Sequence, residues 1–216
     1  MGEQRKMAII SRKMKEIDMI DALVNCSKEQ YTFSDVIELS NSLNRELIIP
    51  FELDEGVAIA VASVVRYWNR IDTEEKIPVD KREPIKIFID CYGGNLTEAF
   101  GIVDTIQSSV TPVYTIVSGC AYSGGFLIAI SGHKRFCYPH ASYMFHEGSS
   151  AFGGDANKFV NYATFYKKQL DQMKQIITDF TSIDDEKYHE IKHDDFWMTA
   201  NEALEYSVVD EIGVKI

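Results

Sequence analysis

An α/β fold built on a parallel sheet is the class this sequence predicts. Two β-branched and aromatic runs, residues 85–90 and 113–117, each lead into a glycine-rich turn and then into an apolar segment with helical spacing. Strand, turn and helix repeated in that order give parallel strands whose carboxyl ends gather on one side, where ligand sites are built. The size agrees: 216 residues, 45% hydrophobic and 25% charged, suit one large domain with a real core.

In chain order, residues 1–40 place Ile10, Met14, Ile17, Ile20 and Val24 at three- and four-residue steps. That spacing predicts a helical segment or arm ahead of a main domain over 41–216. The arm either docks on its own domain or reaches a neighbouring subunit. Residues 46–50 predict a first core strand, and Val57, Ala60, Val61, Val64, Val65 and Trp68 then mark one face of a helix. The polar stretch 72–83 reads as a surface loop. Strand 85–90 runs into Cys91-Tyr92-Gly93-Gly94, a tight turn whose glycines expose a backbone N–H to close approach. A helix over 97–108 follows, with Phe100, Val103 and Ile106 facing the core.

After strand 113–117 come Gly119, Ala121, Ser123, Gly124 and Gly125, a second turn of small residues, and then a buried helix over 126–130. Short strands are expected at 135–138 and 141–145, the second closed by His146. From about 155 to 182 the residues Phe159, Tyr162, Tyr166, Leu170, Met173, Ile177 and Phe180 keep helical steps. That apolar stripe is more than a small sheet can cover, so a subunit contact is expected there. Thr199 with Glu202 three residues later is a helix-capping pattern, and Val208 and Val209 lead into a closing segment.

Composition excludes several classes. A formal net charge of −11 argues against a nucleic-acid-binding surface. No apolar run approaches the ~18 residues of a membrane span. The basic residues near the N-terminus precede no continuous apolar stretch, which argues against a secretory signal and for a cytoplasmic protein. Cys26, Cys91, Cys120 and Cys137 form no C-x-x-C pair and read as free thiols in a reducing compartment. No histidine has metal-site spacing, so no metal and no cofactor is expected.

Ser123 is the residue that suggests chemistry. At a strand-to-helix turn its hydroxyl is exposed beside the first, unpaired N–H groups of the helix, where an oxyanion could form. The simpler reading is a helix cap, and Ala121 stands where a G-x-S-x-G elbow has its first glycine. His133, His140, His189 and His193 lie in polar stretches, whereas His146 ends an apolar strand and is held by it.

Gly93-Gly94, the run 119–126 (Gly-Cys-Ala-Tyr-Ser-Gly-Gly-Phe), the run 143–146 (Tyr-Met-Phe-His), Asp195 ahead of 198–206, and 208–210 (Val-Val-Asp) occur in order and with family-like spacing. From about Asn41 to the C-terminus the chain resembles the proteolytic subunits of the Clp protease, the ClpP family. The resemblance implies a crotonase-like α/β fold of repeated β-β-α units with a protruding handle helix at about 155–182. It also implies a catalytic triad of Ser123 as nucleophile, His146 as general base and Asp195 as the acid that orients the imidazole. Asp194 lies beside Asp195, but Asp195 keeps the family distance to Thr199. The backbone N–H groups of Gly93 and Gly124 fall where the family builds its oxyanion hole.

By the same resemblance the chain is a serine endopeptidase assembled in rings, stacked heptamers with the handle helix as the ring-to-ring contact. It acts on unfolded proteins or peptides beside an AAA+ unfoldase that alone uses ATP. Tyr92 stands where the family usually has proline, Gly124 where it has methionine, and Gly148 where it again has proline; residues 1–40 do not match its short N-terminus. Two alternatives follow. One is a divergent ClpP-like peptidase working without an ATPase, in phage maturation or export. The other is a crotonase-fold enzyme acting on acyl-CoA thioesters, which needs no Ser/His/Asp set.

Overall fold

The computed structural model describes residues 41–148, 151 and 154–213. The expected N-terminal arm and Cys26 lie outside the described residues. The chain divides into two compact units, Met1–Leu47 and Ile48–Ile216. Of the first, residues 41–47 are described, a turn closed by Asn44 N–H on Asn41 O (2.9 Å) and then the start of a strand.

The second unit is organised on a sheet of seven strands among the described residues. These are β1 (Glu46–Leu53), β2 (Ile85–Gly94), β3 (Val113–Tyr122), β4 (Lys134–Cys137), β5 (Ser142–Phe145), β6 (Phe196–Thr199) and β7 (Glu211–Ile212). The order is β1-β2-β3-β4-β7, with β5 beside β3 and β6 beside β5. Strands β2, β3, β4, β5 and β7 pair in parallel; β6 runs antiparallel to β5. Ile85, Ile87 and Ile89 alternate inward along β2 and are fully buried.

Helices α1 (Glu55–Glu74), α2 (Leu96–Gln107) and α3 (Gly124–Ile130) cover the sheet. α3 lies on β2 and β3, α2 on α3, and α1 on α2. All seven residues of α3 are buried, as its uninterrupted apolar sequence requires. Helix α4 (Ala156–Phe180) is long, α5 (Asp185–Ile191) and α6 (Ala200–Glu205) short. Asp54, Asn95, Asp155 and Asp184 cap four of the helices, each accepting a backbone N–H from the first turn.

Several sequence expectations change. The two glycine-rich turns are largely strand: β2 continues through Gly93-Gly94 and β3 through Tyr122. The cause is pairing, because Cys91 faces Ala121 and residues 120–122 face 142–144 of β5. A ladder that pairs both edges overrides the low strand preference of glycine. Between Ile89 and Cys91 the register slips in a bulge, where Asp90 Oδ1 accepts the N–H of Cys120 at 3.0 Å. Gly119 is required there, since a Cβ would stand 2.2 Å from that oxygen.

The stretch 72–83 is not one loop. α1 continues to Glu74, and a single 3-10 turn spans Val79–Lys81. Asp72 is fully buried because it accepts the hydroxyl proton of Thr111 at 2.7 Å. On α4, Met173 and Ile177 are buried, Tyr162, Tyr166 and Leu170 half-buried, and Phe159, Val160 and Phe165 more than half exposed. Its buried residues lie in the C-terminal half, and its exposed large apolar residues all lie ahead of Tyr166.

Candidate active site

Ser123 sits between β3 and α3 with φ 52° and ψ −118°. A non-glycine residue in such a conformation costs about 1–3 kcal/mol and persists only where its neighbours hold it. Here the Ser123 N–H donates to Met144 O on β5 (2.9 Å), and its carbonyl accepts from Phe126 N–H (3.1 Å). The side chain makes no capping bond, so the simpler reading of a helix cap does not describe it. Instead Ser123 Oγ lies 2.9 Å from Nε2 of His146.

His146 directly follows β5. In the antiparallel ladder Phe145 faces Phe196, so the next pair outward is His146 and Asp195. Nδ1 of the imidazole is 3.2 Å from Oδ1 of Asp195. Of the two adjacent acids, Asp195 is the one bonded to the ring. With the proton on Nδ1 donated to this carboxylate, Nε2 is left as an acceptor for the serine hydroxyl. The three side chains expected from sequence are thus brought into one hydrogen-bonded line, with Asp195 about half in solvent.

Gly93 and Gly124 flank the serine. At Gly93 (φ 100°) a Cβ would stand 2.7 Å from Ser123 Cβ and 3.1 Å from Gly124 N, so only glycine lets this strand pass the serine so closely. Its N–H donates to Cys91 Sγ at 3.3 Å. At Gly124 a Cβ would meet Leu53 Cδ1 at 2.9 Å and Ala99 Cβ at 3.3 Å, and would lie 3.7 Å from Gly94 N. That crowding accounts for glycine where methionine is usual. Gly148 has φ 73°, which proline cannot adopt. Tyr92, in place of proline, is exposed; its ring meets Tyr122 (5.9 Å), which meets Trp197 edge-on (5.0 Å).

Sequence reasoning missed two groups here. Asp90, at the bulge, holds β3 three residues before Ser123. Glu147, next to His146, is engaged by three side chains from two helices. Tyr166 donates its hydroxyl to Glu147 O (3.2 Å), and Tyr188 donates to Glu147 Oε1 (3.1 Å). The Lys192 ammonium is 3.7 Å from the same oxygen. An acid right after a strand-ending histidine was the one available signal. Among the described residues no cluster of His, Cys, Asp and Glu is arranged to hold a metal ion, and no helix is long and apolar enough to cross a membrane.

A family model described as Clp protease matches residues 37–215. The chain belongs to the Clp protease family. It is similar to the ATP-dependent Clp protease proteolytic subunits of three strains of Streptococcus thermophilus, each 36% identical over 137 residues. The aligned part is 62% of this chain and 70% of each relative. Membership in the Clp protease family makes the parallel α/β sheet a ClpP/crotonase-like fold and the protein a serine-type peptidase.

Proposed function

We propose that this Clp-family peptidase cleaves internal peptide bonds through an acyl-enzyme on Ser123. The observation that carries the reading is His146 hydrogen-bonded to Ser123 Oγ on one nitrogen and to Asp195 on the other. As Oγ attacks the scissile carbonyl carbon, its proton passes to Nε2, and Asp195 stabilises the imidazolium while fixing its orientation. The tetrahedral intermediate collapses by expelling the amine, which takes the proton back from Nε2. Water then enters, gives a proton to the same nitrogen and attacks the ester carbonyl; the second tetrahedral intermediate expels Ser123 Oγ, which takes that proton back from Nε2.

The oxyanion is stabilised by the Gly124 N–H and a donor from the Gly93–Gly94 segment, each worth on the order of 3 kcal/mol of barrier. For Gly93 to serve, its N–H must leave the Cys91 sulfur it now faces. The peptidase uses no metal or cofactor of its own. It works in the cytoplasm on unfolded polypeptides, inside a chamber of stacked rings, heptamers joined through α4. An AAA+ ATPase partner supplies the ATP-driven unfolding.

Ser123→Ala tests this reading. The variant should assemble like the parent but lose at least about a thousandfold in hydrolysis of a short fluorogenic peptide, and should no longer be labelled by a fluorophosphonate. Parent-level hydrolysis in the variant would remove Ser123 from the mechanism.

A further inference from the structure

His146 is held from more sides than its bond to Asp195. Phe145, just before it, packs its ring between Phe126 of α3 (5.9 Å) and Tyr188 of α5 (5.5 Å). Glu147, just after it, accepts the Tyr188 hydroxyl on its carboxylate at 3.1 Å. One buried tyrosine therefore grips both neighbours of the histidine, by its ring on one side and its hydroxyl on the other. Lys192, one helical turn after Tyr188, adds its ammonium 3.7 Å from the same carboxylate oxygen. Tyr166, from α4, fixes the Glu147 carbonyl at 3.2 Å. A Cβ at Gly148 would lie 3.9 Å from His146 Nε2 and 3.7 Å from the Tyr166 hydroxyl, so this backbone runs close against the ring.

We propose that Glu147 and Tyr188 are positioning residues that set the imidazole of His146 against Ser123. Neither needs to touch substrate. Asp195 alone is a weak anchor, because it is half in solvent and stands just ahead of a four-residue strand. A buried tyrosine bonded to a carboxylate between two helices is far stiffer. Burial, with the Glu147 charge beside it, pushes the Tyr188 phenol up from its ordinary value, so the hydroxyl keeps the proton it donates. A small tilt of the base costs rate without costing affinity, since reaction demands closer alignment than binding does. The proposal rests on the reading of His146 as general base.

The experiment measures kcat and KM on a short fluorogenic peptide for the full-length assembled protein. Light scattering and thermal melting are followed on the same samples. Tyr188→Phe, which keeps the ring and removes one oxygen, should lower kcat by about 3- to 10-fold with KM unchanged. Glu147→Ala should lower it as much or more, whereas Glu147→Gln, which keeps an acceptor for the Tyr188 hydroxyl, should recover most of the loss. The Tyr188→Phe/Glu147→Ala double variant should be no worse than Glu147→Ala alone, because both remove the same bond.

Two results overturn the proposal: parent kcat in both single variants, or losses of kcat that occur only with a smaller particle or a lowered melting temperature. His146→Gln is the control for the underlying reading. If it keeps parent activity, the triad falls and takes this proposal with it. If it is inactive while Tyr188→Phe and Glu147→Ala behave as the parent, only the positioning role falls.

Discussion

Ser123 owes its backbone conformation to contacts made by main-chain atoms, the bonds to Met144 and Phe126, so its hydroxyl is left free to meet His146. The residues around it follow the same division. Gly93 and Gly119 give up a side chain so that strands can close on Ser123 and on Asp90. Cys91 and Cys120 fill the space behind the turn as thiols. Burial, and then the Asp90 carboxylate, push the Cys120 thiol up to about 12, and burial raises Cys91 and Cys137 as well. A raised thiol value means that the neutral S–H persists through the neutral range and the thiolate appears only on the alkaline side. Iodoacetamide should therefore leave Cys91, Cys120 and Cys137 unmodified in the native protein under conditions that alkylate the urea-unfolded chain fully. Peptide-resolved mass spectrometry reads the result, and rapid native labelling of Cys120 at pH 8 would contradict the packing described.

Among the elements, α4 divides its apolar stripe between the core and the surface. Towards its C-terminal end the stripe read from sequence turns inward, with Met173 and Ile177 in the core and Tyr166 bonded to Glu147, whereas Phe159 at its start is exposed. Its exposed large apolar residues are Phe159, Val160 and Phe165, all ahead of Tyr166. If the proposed ring-to-ring contact runs through these residues, Val160→Glu with Phe165→Glu should split the particle, since the contact would bury unpaired carboxylates, while the melting of the subunit itself is little changed. A double variant that keeps the parent particle size in light scattering would place the contact elsewhere.

The strands 85–90 and 113–117 announce themselves by composition, and the Thr199–Glu202 box marked the start of α6 as the hydrogen bonds place it. Strand β6 did not: Phe196-Trp-Met-Thr has no alternation of its own and is extended because β5 pairs with it. α5 is two turns long and carries only Tyr188 and Ile191 inward, too few positions to show a period. The Ser123, His146 and Asp195 set was legible because each stands in a family-like motif. Glu147 and Tyr188 stand in none, and only the fold brings them together.

Among the described residues, β3 is the strand with the most partners. Its first half pairs with β4 and its second with β5, and β2 lies along its other edge. The serine follows β3, the histidine follows β5, and the aspartate precedes β6, so the line of three side chains reads outward along successive strands. The order in which those strands come together during folding then has a consequence for when hydrolysis becomes available. β2 with β3 joins nearer parts of the chain than β5 with β6, and loop closure favours the nearer pairing first. Substitutions such as Ile116→Val should slow refolding, and Met198→Ala should chiefly speed unfolding, which stopped-flow kinetics on the two variants would resolve. On that sequence of events Ser123 is in place before Asp195 arrives. A chain still in the act of folding, when it is itself an unfolded polypeptide within reach of its own serine, does not yet carry a working peptidase.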